Sequence, residues 1–142
     1  MEAKEFLKRF KKYEILIENK TIELYQCKES ATNITAKIGG ERVQGSGNPH
    51  RMADTVAKYI DLEKEIKEHI DNMISAKKEI IEIIESLNAD QYDVLHKLYV
   101  QKLTFKEIAY ECNKSESWAT TTHGRALKAV QKILDEREVK EA

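Results

Sequence analysis

Residues 104–119 read Thr104-Phe105-Lys106-Glu107-Ile108-Ala109-Tyr110-Glu111-Cys112-Asn113-Lys114-Ser115-Glu116-Ser117-Trp118-Ala119, which is a helix start, a helix stop and a second helix start in close succession. Thr104 and Glu107 form a T-x-x-E capping box. The threonine oxygen takes a free amide of the first turn and the glutamate reaches back to the Thr104 amide. Leu103, just before the cap, is placed to staple onto Ile108. The buried face of the helix that follows is Phe105, Ile108, Ala109 and Cys112. Asn113 ends it, because asparagine tolerates the left-handed conformation better than other side chains with a Cβ. Ser115 then caps a second helix, whose inward face is Ala119, Thr122, Ala126, Leu127 and Val130. A short capped helix, a tight turn and a second capped helix make a helix-turn-helix, with the small Ala109 where the two helices come closest.

A second helix held in this way can enter the major groove of duplex DNA while the first crosses the backbone. The candidate contact residues are Lys114, Ser115, Glu116, Ser117, Trp118, Thr120, Thr121, Arg125 and Lys128. Serine and threonine hydroxyls bond phosphates or base edges, a threonine methyl meets a thymine methyl, and arginine suits phosphate or guanine. Trp118 has a second reading, as a residue that packs against the long helices or meets a partner, and Glu116 favours the helix dipole but repels phosphate. His123, one turn further on, reads as a phosphate contact or a bystander. Charge supports the DNA reading. Residues 97–132 hold seven Lys and Arg against three Glu, a net of +4, whereas the whole chain carries −1 and the other 106 residues therefore −5.

Working outward, Asn88-Ala89-Asp90-Gln91 is a second capping box. It opens a short amphipathic helix with Val94, Leu95, Leu98 and Tyr99 inward, and a domain boundary is expected at Leu87/Asn88. Before it, Met52, Val56, Tyr59, Glu63, Ile66, Ile70, Met73, Lys77, Ile80, Ile84 and Leu87 follow the 3.5-residue spacing of a coiled-coil seam. Phe6, Phe10, Tyr13, Ile17, Leu24, Cys27 and Ala31 do the same nearer the start, with a skip at Lys20. Residues 32–50 between them contain four of the five glycines and the only proline, which reads as a loop, with a small β-ribbon over 34–43 as one form of it. The expected fold is all-α. A long antiparallel helical hairpin (1–87, with a Gly-rich loop at 32–50) precedes a small helix-turn-helix domain (88–138).

Composition limits the alternatives. Of the 142 residues 35% are charged and 41% hydrophobic, with one proline, a profile of helix-rich chains rather than of a β-sandwich or barrel. A globally basic, histone-like protein is excluded. Cys27 and Cys112 have no metal-binding spacing and read as small buried groups in a reducing compartment. No apolar run approaches the roughly 18 residues of a membrane span, and the acidic residues at 5, 14 and 18 interrupt the basic face of the first helix, so no membrane partner is expected. Gly45 to Arg51 lacks the spacing of a phosphate-binding loop. The four scattered histidines and the paired acids on charge-rich helices offer no catalytic constellation, so neither an enzyme nor a cofactor is expected.

The runs Val94-Leu95-His96-Lys97-Leu98-Tyr99, Leu103-Thr104-Phe105-Lys106-Glu107-Ile108-Ala109, Ser115 and Arg125-Ala126-Leu127-Lys128 resemble region 4 of sigma-70-type factors. With the hairpin ahead of it, the chain is similar to phage and prophage late-gene or autolysin regulators of the RinA and ArpU kind, many known only as a domain of unknown function. The resemblance implies a promoter-binding transcriptional regulator in the cytoplasm of the host bacterium. Its partners would be double-stranded DNA and RNA polymerase. The hairpin, for its part, offers a surface either for self-association with a second copy of the chain or for facing the polymerase. Region 4 usually opens its recognition helix with arginines. Here Glu116, Ser117 and Trp118 stand there, so the family's contacts carry over by position and not by chemistry. No segment resembles the part that binds the −10 element, which excludes a complete sigma factor. The alternative is a structural assembly protein, such as a phage DNA-packaging subunit with an oligomerising helical stalk.

Overall fold

The computed structural model describes residues 1–40 and 49–141, and it is all-α. Helix α1 spans Ala3–Gly40, α2 Pro49–Glu85, α3 Ala89–Leu95, α4 Phe105–Glu111 and α5 Glu116–Glu141, and a π-helical turn, His96–Val100, continues α3. α1 runs on through 32–40, where the sequence suggests loop, so the ribbon is absent from Ile34–Gly40. Nothing in Thr32 to Ile38 breaks a helix, and the glycines come only at 39 and 40. The rest of the expected loop and ribbon, residues 41–48, lies outside the described residues. Pro49 opens α2, a position where its fixed φ suits the helix and its missing amide costs nothing.

The chain packs as two compact units, residues 11–73 and residues 1–10 with 74–142. The first is an antiparallel helix pair: Lys20 meets Glu65 at 3.1 Å, and the Cys27 thiol donates to the Thr55 carbonyl at 3.3 Å. On α1 the seam falls as the sequence spacing indicates, with Tyr13, Ile17 and Leu24 half-buried and Cys27 buried. Lys20, the skipped position, has its ammonium held by Glu65 and Glu23, and those hydrogen bonds raise its pKa. On α2 the seam differs from the expected one at alternate positions. Thr55 and Leu62 face inward where the spacing places Val56 and Glu63. In the other unit Ala76 is buried, and beside it Lys77 keeps its seam position, its ammonium 5.2 Å over the Phe10 ring of α1. Both phases share Met52, Tyr59, Ile66 and Met73. The observed one keeps Glu63 out of the apolar seam and avoids its desolvation, at the cost of leaving Val56 47% exposed.

The second unit brings the two chain ends together. The Ala3 amide donates to Gln131 Oε1 at 2.8 Å, and the Met1 ammonium pairs with Glu138 at 2.7 Å. Arg9 and Arg137 both approach Glu79, at 2.7 and 3.6 Å. Phe6, Leu7 and Phe10 of α1 are buried, as are Ile80, Ile83 and Ile84 of α2 and Val130 and Leu134 of α5. Val94, Ile108 and Ala119 form a further core cluster, packed by Leu98, Leu103, Phe105, Cys112 and Trp118. Asn88 therefore lies within a packed unit that also includes the first ten residues.

Candidate nucleic-acid interface

Local chemistry sets the helix starts of α3, α4 and α5. The Asn88 side chain accepts from the Gln91 amide at 2.9 Å. Thr104 and Glu107 close the full capping box at 3.2 Å in both directions, and Ser115 Oγ accepts from the Trp118 amide at 3.0 Å. Among the described residues, two that bear a side chain take the left-handed conformation: Asn113 (φ 54°) in the α4–α5 turn, and Lys102 (φ 62°) between the π-helical turn and α4. The Lys114 amide donates back to the Ala109 carbonyl at 2.9 Å and closes the tight turn. These contacts fix the angle at which α5 leaves α4.

The first five turns of α5 show a clean division. Ala119, Thr122, Ala126 and Val130 are buried, whereas Glu116, Ser117, Thr120, Thr121, Arg125 and Lys128 are exposed, as are Lys114 and Ser115 ahead of them. An open groove of about 650 Å³ gathers Ser117, Thr121 and Arg125 along one stripe of α5 and faces them with Asn88 and Gln91 of the α3 start. Ser115 and Trp118 also line it, while Lys114, Glu116, Thr120 and Lys128 lie outside its lining. The Thr120 hydroxyl donates to the Ser117 carbonyl at 3.1 Å, which occupies its proton within the helix.

Trp118 is half-buried in the core cluster, and the Lys114 ammonium stands 5.9 Å above its ring. Trp118 packs, as one sequence reading has it, but against Val94, Ile108 and Ala119 rather than against the long helices. His123 is neither exposed nor idle. Its Nε2 is 2.8 Å from the Tyr99 hydroxyl, and its ring meets Phe105 edge-on at 5.3 Å. Burial, with Lys4 and Lys8 nearby, pushes its pKa down. Gln91 is the groove residue that sequence reasoning placed elsewhere. A capping box assigns its side chain to the Asn88 amide, whereas in the structure Gln91 lines the groove. The only available signal is its polarity in the first turn of α3, where it is half-buried.

A second polar cluster ties the elements behind this surface. Asp93 of α3 accepts from Lys97 and, at 3.3 Å, from the Cys112 thiol of α4. Burial opposes ionisation of Asp93, but these two hydrogen bonds outweigh it and hold its pKa below the usual carboxylate range. Burial and the Asp93 contact raise the Cys112 thiol. Cys112 is thus a structural donor. Among the described residues no group of three or more His, Cys, Asp or Glu side chains is placed to hold a metal ion, and no helix is long and apolar enough to cross a membrane.

No curated protein and no solved structure matches the chain. Residues 33–135, from the end of α1 into the last turns of α5, match the family described as protein of unknown function (DUF1492), and the chain belongs to that family.

Proposed function

We propose that the chain is a sequence-specific, duplex-DNA-binding transcriptional regulator of the phage type, with α5 as its recognition helix. The observation that carries this reading is the exposed stripe Ser117, Thr121 and Arg125, set on a helix whose other face is buried and whose exit angle is fixed by caps and by Asn113. Such a helix fits the major groove, with hydroxyls and a guanidinium to offer base edges and Lys114 and Lys128 available to phosphates. The +4 balance of residues 97–132 supplies the attraction that the near-neutral whole conceals. Lys106, exposed on α4, is positioned for the backbone contact that the first helix of such a motif makes. In this reading the DNA is promoter DNA in a host bacterial cytoplasm, RNA polymerase is the second partner, and no catalytic step is involved.

Fluorescence anisotropy tests it, using duplexes from the promoters flanking the gene and a shuffled duplex of equal length at roughly 0.15 M salt. The expected result is one flanking duplex bound at least about 1,000-fold more tightly than the shuffled one. Equal binding of all duplexes, or none, overturns the proposal.

A further inference from the structure

α2 is one uninterrupted helix from Pro49 to Glu85, and it carries a second apolar stripe that the hairpin seam does not use. Val56, Ile60, Glu63, Lys67, Ile70 and Ile74 follow one another at steps of four and three. They lie about a quarter turn around the helix from the seam positions Met52, Thr55, Tyr59, Leu62, Ile66, His69 and Met73. Val56, Ile60 and Ile74 are 47%, 44% and 57% exposed, which is unusual for three aliphatic side chains on one stripe. Ile70 is half-buried, and Glu63 and Lys67 are exposed. Single exposed aliphatics are ordinary on a protein surface. Three of them in register on one stripe are not.

The stripe reads apolar, apolar, acid, base, apolar, apolar, and it is its own complement when reversed. A two-fold axis midway between Glu63 and Lys67 sets Val56 opposite Ile74 of a second copy, Ile60 opposite Ile70 and Glu63 opposite Lys67. Each contact is made twice. A parallel pairing in register would instead set Glu63 against Glu63 and Lys67 against Lys67, placing like charges at the centre. We infer that this face of α2 binds the same face of a second copy of the chain, antiparallel and centred between Glu63 and Lys67. The charge order selects this occupant, because the isologous contact of a two-fold dimer needs a surface complementary to itself.

The inference does not depend on DNA binding and is tested without DNA. Sedimentation velocity of the full chain across a dilution series is expected to show a species of twice the 16.4 kDa chain mass. Glu63→Lys creates two like-charge contacts at the axis and should raise the dimer dissociation constant roughly tenfold or more. The double variant Glu63→Lys/Lys67→Glu restores opposite charges and should return the constant to near the wild-type value. Ile60→Glu should abolish the dimer while leaving the helical circular dichroism signal unchanged. A wild-type monomer at every concentration overturns the inference. So does a dimer indifferent to Glu63→Lys, or one that the double variant fails to rescue. Loss of promoter binding by a protein that still dimerises would count against the DNA reading alone.

Discussion

Asn113 holds the turn between α4 and α5 in a conformation that most side chains avoid, at φ 54°. Asparagine bears this conformation better than alanine and glycine bears it better still. Asn113→Ala should therefore cost about 1 kcal/mol, and Asn113→Gly should be neutral or stabilising. Urea unfolding followed by the fluorescence of Trp118, the only tryptophan, reads both, and an unchanged midpoint for Asn113→Ala would contradict the account. His123 makes a prediction in pH. Its folded-state pKa is lowered by burial and then by Lys4 and Lys8, so the unfolded chain takes up a proton more readily than the folded one. Its contribution is present above the ordinary histidine value of about 6.5 and is lost as pH falls through the lower folded value. Protonation also removes the ring lone pair that can accept from the Tyr99 hydroxyl, whose own pKa is raised by burial. Asp93, held below the usual carboxylate range, titrates beneath this window. The urea midpoint should therefore drop between about pH 7.5 and about pH 5.5, and His123→Gln should flatten that drop. Equal slopes for the two proteins would remove His123 from the explanation.

Helix α5 tests the functional reading through its two kinds of exposed position. Thr121 lies in the groove stripe and Lys128 outside it. Thr121→Ala should relax sequence preference, whereas Lys128→Ala should weaken all duplexes alike and reduce the salt slope by roughly one. Anisotropy over a salt series separates the two, and identical effects would deny Thr121 a role in reading bases. Helix α2 makes a prediction about packing. His69 occupies a seam position, and its Nδ1 is buried without a hydrogen-bond partner. His69→Leu fills the same position without that desolvated nitrogen and should stabilise the hairpin by about 1 kcal/mol. A lower melting temperature would show that the imidazole is worth more to the hairpin than its unpaired nitrogen costs. These elements also show how far sequence reasoning reaches. The caps at Asn88, Thr104 and Ser115 and the stop at Asn113 were legible because each is decided within four residues. The α2 seam was half legible, since two phases of a 3.5-residue repeat share every second position and only packing against α1 chooses between them. Gln91 was not legible as a groove residue, because which side chains share a groove depends on the helix positions and not on local sequence.

At the scale of the chain, the burial of Phe6, Leu7 and Phe10 joins what the sequence separates. An amphipathic repeat announces that a face will be buried but not against what, so the first helix reads as half of a hairpin and nothing more. In the structure its first turns share a unit with residues more than 120 positions later, through Ala3–Gln131 and Met1–Glu138. The exposed ion pair contributes little. The aromatic burial contributes far more, with Phe6 and Phe10 each 2% exposed and Leu7 fully buried. Phe6→Ala should cost about 3–5 kcal/mol. Because Trp118 lies in the core of the same unit, over a hundred residues away in sequence, the loss should appear in its fluorescence. A fragment beginning at Asn88 should, for the same reason, unfold at lower urea than the full chain and with a shallower transition. If instead the Trp118 transition of Phe6→Ala coincides with that of the wild type, the segment from Asn88 onward folds on its own. The first ten residues would then be a passenger on a domain bounded at Leu87. The expected shift would mean that the helix-turn-helix depends on both ends of the chain, so that a change in the first helix can alter DNA affinity without touching the recognition surface.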